Sequence, residues 1–324
     1  MMSRQRWFRV ASLAMLLFAS LITSQRTASA QGCPEVVGRW PYGPISAVTV
    51  SNGIVYFGSG PSLIIAEIVH SVRAVSLQTL GEIELPGKIV DIAVSGVFAY
   101  VAAESADFRI IDVSIPDAPR EVGSHSVGGR ARTVTVSGST AFVVGRLGSE
   151  YSLFLIDVET PSAPVELAVV ESVGWGGVAV DGGIAVVADC LEGLRVLDVS
   201  TPSAPVELGS NYVAPGCATD VVVRHGHAFA AYESGGFRVV DVTTPSAPVE
   251  IGALHLPDDY PERLVVSDDG YAFIADRDLG LRIVNLESFR YPREVGRLLM
   301  PWPTRDVAIW SQLAFVANET DGLI

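Results

Sequence analysis

Lysine is almost absent from this 324-residue chain. Lys88 is the only one, and the remaining Lys+Arg total is arginine, which reads as genome composition rather than chemistry. Positive charge is scarce altogether: 22 Lys and Arg stand against 36 Asp and Glu, a formal net charge of −14. That balance argues against nucleic acid and anionic membrane surfaces as partners. Charged residues are only 18% of the chain and hydrophobic ones 49%, which excludes a disordered or low-complexity protein. Beyond the first thirty residues no apolar run approaches the length of a transmembrane segment, and no helix-period amphipathic pattern stands out. Catalytic signatures are missing too: there is no nucleophile elbow, P-loop, zincin helix, Cys-x-x-Cys pair or sialidase-type Asp box. These absences weaken every enzyme reading.

What is there begins with an address. Arg4, Arg6 and Arg9 precede an apolar stretch from Val10 to Ile22, and Ala28-Ser29-Ala30 supplies a small-x-small cleavage site. This is the three-part pattern of a secretory signal peptide, expected to be cleaved after Ala30. Residues 1–30 are thus read as signal and residues 31–324 as one domain, secreted, periplasmic or at the cell surface. Cys33 offers a competing reading as a lipid-modified cysteine, but Ala30-Gln31-Gly32-Cys33 lacks the aliphatic residue such signals carry near position −3.

The repeat dominates the rest. Thr160-Pro-Ser-Ala-Pro-Val-Glu-Leu167 recurs as Thr201–Leu208 and, ending in Ile, as Thr244–Ile251, with a degenerate copy at Ser114–Val122 and a more worn one at Leu286–Val295. Each follows an apolar strand closed by an acid or its relative: Asp112, Asp157, Asp198, Asp241 and Asn285, with Glu67 as the earliest copy. Their spacings run from 41 to 45 residues. A period in the low forties, built of short Val- and Ile-rich strands, is the signature of a propeller blade. In the copy from Asp220, four strands are expected at Asp220–Arg224, Ala228–Tyr232, Phe237–Thr243 and Val249–Leu254, with Gly and Pro in the turns between them.

First strands number seven: Ala47–Val50, Asp91–Val94, Thr133–Val136, Gly177–Val180, Asp220–Val223, Arg263–Val266 and Asp306–Ile309. A lone fourth-type strand, Glu35–Trp40, is expected beside the last strands, which removes two exposed edges and closes the ring. The expected fold is an all-β, seven-bladed β-propeller of four-stranded blades closed by an N-terminal strand. The stop at Ile324 falls inside a third-type strand, so the last blade reads as truncated and the chain as a fragment of something longer.

The strands Leu194-Arg-Val-Leu-Asp-Val-Ser-Thr-Pro202 and Phe237-Arg-Val-Val-Asp-Val-Thr-Thr-Pro245 resemble the LVIVD repeat, a β-propeller repeat of bacterial and archaeal secreted or surface proteins. The resemblance covers nearly all of residues 35–324 and implies a fold and a location, but no common activity. The first copy departs in reading Ile64-Ile65-Ala66-Glu67, and the third lacks the motif Arg and carries a longer loop at Arg146–Tyr151.

Candidate sites follow from where loops fall in such a blade. Loops joining a fourth strand to the next blade carry Trp40 with Tyr42, Trp175, Tyr260 and Trp302, all on one face. Aromatic platforms among Gly and Pro suit sugar stacking or a protein hot spot; the competing reading has them plugging gaps between blades. Loops joining second and third strands share that face and are acidic, with Glu104, Asp107, Asp189, Glu192, Glu233, Asp276, Asp278, Glu319 and Asp321. Ca²⁺ is the ion such oxygens would hold, against solvated loops as the plainer account. Asp91, Asp220 and Asp306 open three innermost strands and are the metal candidates of the channel, while their recurrence, like that of Arg109, Arg195, Arg238 and Arg282, favours ion pairs of the scaffold. Cys190 and Cys217 fall on one face and make a disulfide candidate in an oxidising compartment. His225-Gly-His227 is too sparse for zinc, and Asn318-Glu-Thr320 matches a glycosylation sequon.

The leading expectation is an exported scaffold binding a protein or glycan through its Trp-bearing face. The rivals are a hydrolase or lactonase with a channel-bound divalent metal, and a structural module of a longer surface protein. Fold alone does not choose among them.

Overall fold

A computed structural model of the chain describes residues 34–40, 42–70, 75–211, 216–256, 260–300 and 303–324. The proposed signal peptide and Cys33 lie outside the described residues. Six sheets of four antiparallel strands and one of three follow one another along the chain, each in simple meander order, and no helix occurs among the described residues. The result is a seven-bladed β-propeller of the architecture the repeat predicts.

The blade containing Asp220 shows how the repeat becomes structure. Its strands are Ala218–Arg224, His227–Tyr232, Gly236–Asp241 and Val249–Leu254. The second strand is apolar and almost wholly buried because a neighbouring blade covers each of its faces, whereas the fourth runs along the rim and is half exposed. Apolar side chains form seven separate clusters, each spanning one pair of adjacent blades. The cluster holding Phe57, Ile64, Phe315 and Leu323 joins the last blade to the first and closes the ring.

Closure uses less of the N-terminal segment than the expected strand Glu35–Trp40. Only Trp40 pairs, exchanging two backbone hydrogen bonds with Leu323 at 2.8 and 3.1 Å. Its partner strand, Gly322–Leu323, is two residues long and offers no more ladder than that. Packing completes the seam, since the Trp40 ring lies against the cluster of Phe57 and Phe315.

The conserved-looking acid of each copy caps the turn that follows it. Asp112, Asp157, Asp198, Asp241 and Asn285 each accept a hydrogen bond from the backbone N–H two residues on, at 2.8–3.0 Å. This is the Asx-type turn that Asp and Asn make equally well, and it explains why Asn285 replaces the acid without loss of the turn. Asp241→Ala is therefore expected to destabilise the protein by about 1 kcal/mol, and Asp241→Asn by much less, as read by urea unfolding. The Glu of Pro-Val-Glu has its own partner across the rim. Arg195 pairs with Glu207 at 2.6 Å, and Arg109–Glu121, Arg238–Glu250 and Arg282–Glu294 repeat the bridge. In the third blade Phe154 replaces the Arg and is buried, and Glu166 turns instead to His125. Fourth-strand glycines such as Gly252 have no room for a side chain, because the carbonyl of the next blade's turn, at Phe289, occupies the space a Cβ would take.

Candidate functional site at the channel mouth

In five of the seven blades the innermost strand begins two residues earlier than the sequence pattern predicts; in the second it begins three residues earlier, at Lys88, and in the fourth one later, at Val178. In six of the seven blades the start of this strand is bulged: two consecutive residues oppose one on the second strand. The register breaks fall between Ile45 and Ala47, Ile89 and Asp91, Ala131 and Thr133, Ala218 and Asp220, Pro261 and Arg263, and Thr304 and Asp306. A bulge releases its extra residue from the ladder and re-aims its side chain. Here the released residues are Ser46, Val90, Arg132, Thr219, Glu262 and Arg305, and all six line one cavity of about 330 Å³ at the mouth of the channel.

The positions just inside the bulges form the floor. Three hold Asp91, Asp220 and Asp306, and each reaches to the next blade, accepting the backbone N–H of Val134, Leu264 and Val48 at 2.8–2.9 Å. These bonds satisfy donors on the free inner edge of the neighbouring strand. The sixth blade carries Arg263 at the same position. Its guanidinium lies 3.4 Å from Asp91 and 3.6 Å from Asp220, across the channel from one another in the ring. Burial works against the charge on Arg263, but Asp91, Asp220 and Asp306 outweigh it and raise its pKa. Burial raises the two carboxylates as well, Asp220 to about 6 and Asp306 to about 7, with Arg263 holding both down.

Above this floor the wall is cationic. Arg305 pairs with Glu262 and lies 2.6 Å from Glu319. Arg277 comes within 4.0 Å of Glu262 and stacks on Tyr260, its Cζ 5.2 Å from the ring centre. Arg132 donates from Nε to the Trp175 carbonyl at 2.8 Å and lays its guanidinium 4.3 Å over the Trp175 ring. Among the described residues Arg132 and Lys88 have no acidic partner, and both line the cavity. Water reaches Arg132, yet channel walls surround it, and that enclosure lowers its pKa, with the charge of Arg263 lowering it further. Burial and a bond to Glu233 push Tyr260 up to about 12. Two hydroxyls lining the cavity, those of Ser46 and Thr133, are buried without a hydrogen-bond partner.

The LVIVD repeat matches residues 86–127, 128–172, 176–212, 215–255 and 262–296. The chain belongs to the LVIVD-repeat family. No curated protein matches it. Among solved structures, this LVIVD propeller is similar to the computationally designed Ika8 protein, at 13% identity and a TM-score of 0.61, over 90% of this chain and 98% of that one. It is also similar to a chain of the Mitotic Checkpoint Complex, at 14% identity and a TM-score of 0.69, over 94% of this chain and 96% of that one. At such identities the likeness concerns the fold.

Within the LVIVD propeller the aromatic candidates divide. Trp175 and Tyr260 line the channel mouth, each with one ring face occupied by an arginine. Trp40 and Tyr42 sit at the seam between the last blade and the first, where the Tyr42 hydroxyl bonds Thr79 at 2.6 Å. Trp302 lies outside the described residues. Many of the acidic loop residues act as local caps. Asp189 is buried and accepts the N–H groups of Gly174, Leu191 and Glu192, and Asp107 accepts those of Val127 and Gly129. Asp276 is buried against Arg282 at 2.9 Å. The channel carboxylates proposed as metal ligands meet backbone N–H groups and Arg263, and no group of three potential ligands occurs among the described residues. Cys190 and Cys217 are joined as a disulfide that ties the fourth blade to the fifth on this face. Asn318 is fully buried and its side-chain oxygen accepts the N–H groups of Thr320 and Asp321, so the folded protein does not present this sequon.

The bulge residues are the cavity-lining positions that sequence reasoning passed over. Their signal was present as charge: Arg132, Glu262 and Arg305 fall near the starts of strands whose later residues are mostly Val, Ile, Leu and Ala or Thr.

Proposed function

We propose that this LVIVD propeller is an exported interaction scaffold that holds a protein or glycan ligand at the mouth of its central channel. The observation that carries the reading is the convergence of six bulge residues on one cavity. What sets these bulges apart is that the residues they release come from six blades and meet in one place. Trp175 and Tyr260 at the rim supply the rigid, amphipathic anchors that binding surfaces favour. Export rests on the N-terminal pattern, with cleavage after Ala30 placing the domain outside the cytoplasm, secreted, periplasmic or surface-held.

The test uses purified protein on a glycan array and in pull-downs from culture fluid and cell-surface extracts. Trp175→Ala is expected to abolish capture of the ligand. Trp310→Ala, at the turn between first and second strands on the opposite face, is expected to leave it intact. Capture that survives Trp175→Ala but is lost with Trp310→Ala places the binding surface elsewhere and overturns the reading.

A further inference from the structure

The protein is acidic overall, yet the cavity at its channel mouth is walled by cations. Lys88, Arg132, Arg263, Arg277 and Arg305 line it, while Glu104 and Glu262 are the acids of its lining. Glu104 is committed to Arg130 at 3.0 Å. Glu262 is shared by Arg305 and Arg277. Asp91 and Asp220 are held by Arg263. Lys88 and Arg132 are left over among the described residues. A negatively charged chain places its only lysine in this cavity.

Arg132 is also prepared for a ligand. Stacking on Trp175 and the bond to the Trp175 carbonyl fix the plane of its guanidinium. A fixed guanidinium is a fork that matches the planar, two-oxygen edge of a carboxylate. Glu262, seated among the arginines of the same wall, demonstrates that this wall accepts a carboxylate. From these positions we infer that the channel mouth is a carboxylate receptor, in which Arg132 takes the acid group of the ligand and Lys88 adds charge. The inference rests on the channel mouth being the binding site, and it names the group bound there.

The probe is citrate, titrated calorimetrically into the purified protein at fixed ionic strength, with trimethyl citrate and inorganic sulfate as comparisons. Citrate is expected to bind with one-to-one stoichiometry and to weaken as salt rises. Arg132→Gln is expected to lower its affinity roughly ten- to a hundredfold. Lys88→Gln, whose side chain makes no hydrogen bond or ion pair among the described residues, is expected to lower it several-fold with an unchanged melting temperature, which keeps the result readable if Arg132→Gln folds poorly. Absence of citrate binding, equal binding of trimethyl citrate, or insensitivity to both substitutions overturns the inference. Equal binding of sulfate overturns the carboxylate assignment by showing that charge alone is read. Citrate failure alongside ligand capture that depends on Trp175 refutes the receptor and leaves the scaffold reading standing. Citrate binding that depends on Lys88, with no macromolecule captured, does the reverse.

Discussion

Replacing Arg263 with methionine is expected to destabilise the protein by about 3–5 kcal/mol near neutral pH, because it leaves buried carboxylates without their cation. Asp91, Asp220 and Asp306 all face this one guanidinium, which stands where other blades carry an aspartate. The cost depends on pH in a direction that the surroundings dictate. Asp220 and Asp306 titrate at about 6 and about 7 in the fold, both raised from 3.8 by burial. A raised carboxylate holds its proton longer folded than unfolded. Its contribution is complete below the unfolded value and is lost as pH rises through the folded one. Stability should therefore fall between pH 4 and 8. Asp112, lowered to about 2 chiefly by the Ser114 hydroxyl and Arg120, acts oppositely and is felt only below pH 4. Melting temperature should thus peak on the acidic side of neutrality. In Arg263→Met the carboxylates lose the charge that holds them down, so the falling limb shifts to higher pH and the deficit against wild type shrinks at pH 5. Thermal melts from pH 4 to 9 measure both effects. A deficit independent of pH would show that Arg263 does not balance these acids.

Phe237→Ala should be as damaging, for an apolar reason. Phe237 is fully buried between the fifth and sixth blades, stacked on Phe229 at 6.4 Å between ring centres and packed with Leu264 and Ile274. Truncation leaves a cavity that rigid strands cannot close, and about 3–5 kcal/mol is the expected loss. For a domain of this size that corresponds to a melting temperature lower by roughly 10 °C. Val249→Ala, in the same blade but 55% exposed on the rim, should change stability by about 0.5 kcal/mol or less. The contrast tests whether stability resides between blades rather than within them. Comparable losses at Phe237 and Val249 would contradict the seven-cluster account of the core.

The fold was legible because its information is local and repeated. Thr201-Pro-Ser-Ala-Pro marks a turn, Asp198 caps it, and alternating Ala and Val declare a buried strand; several copies at one spacing then fix the architecture. The site was legible in its aromatic rim and in the three aspartates of its floor. Trp175 and Tyr260 stand in loops and could be counted. Arg132 and Arg305 stand in strands, where a two-residue period assigns each side chain to one face and has no place for an extra residue. Six of the seven innermost strands were therefore read as starting at Ala47, Asp91 and their equivalents, one step past the bulge. Asp91, Asp220 and Asp306 invited a metal because the cation that faces them comes from another blade. The bond from Asp220 to Leu264 spans 44 residues, and Arg263 beside it is charged in the opposite sense to its counterparts. No local pattern carries that convergence.

A ladder residue answers to its cross-strand partner, and altering it disturbs a pair. The six extra residues at the bulges have no such partner. Each comes from a different blade and, Val90 apart, lies outside the clusters between blades, so exchanging one leaves the strand register and the core packing in place, although Glu262 and Arg305 are bound to each other and would change together. The ring thus separates what must stay constant from what is free to vary. If the channel mouth is the binding site proposed above, two propellers alike in every blade would take unlike ligands through these few positions alone.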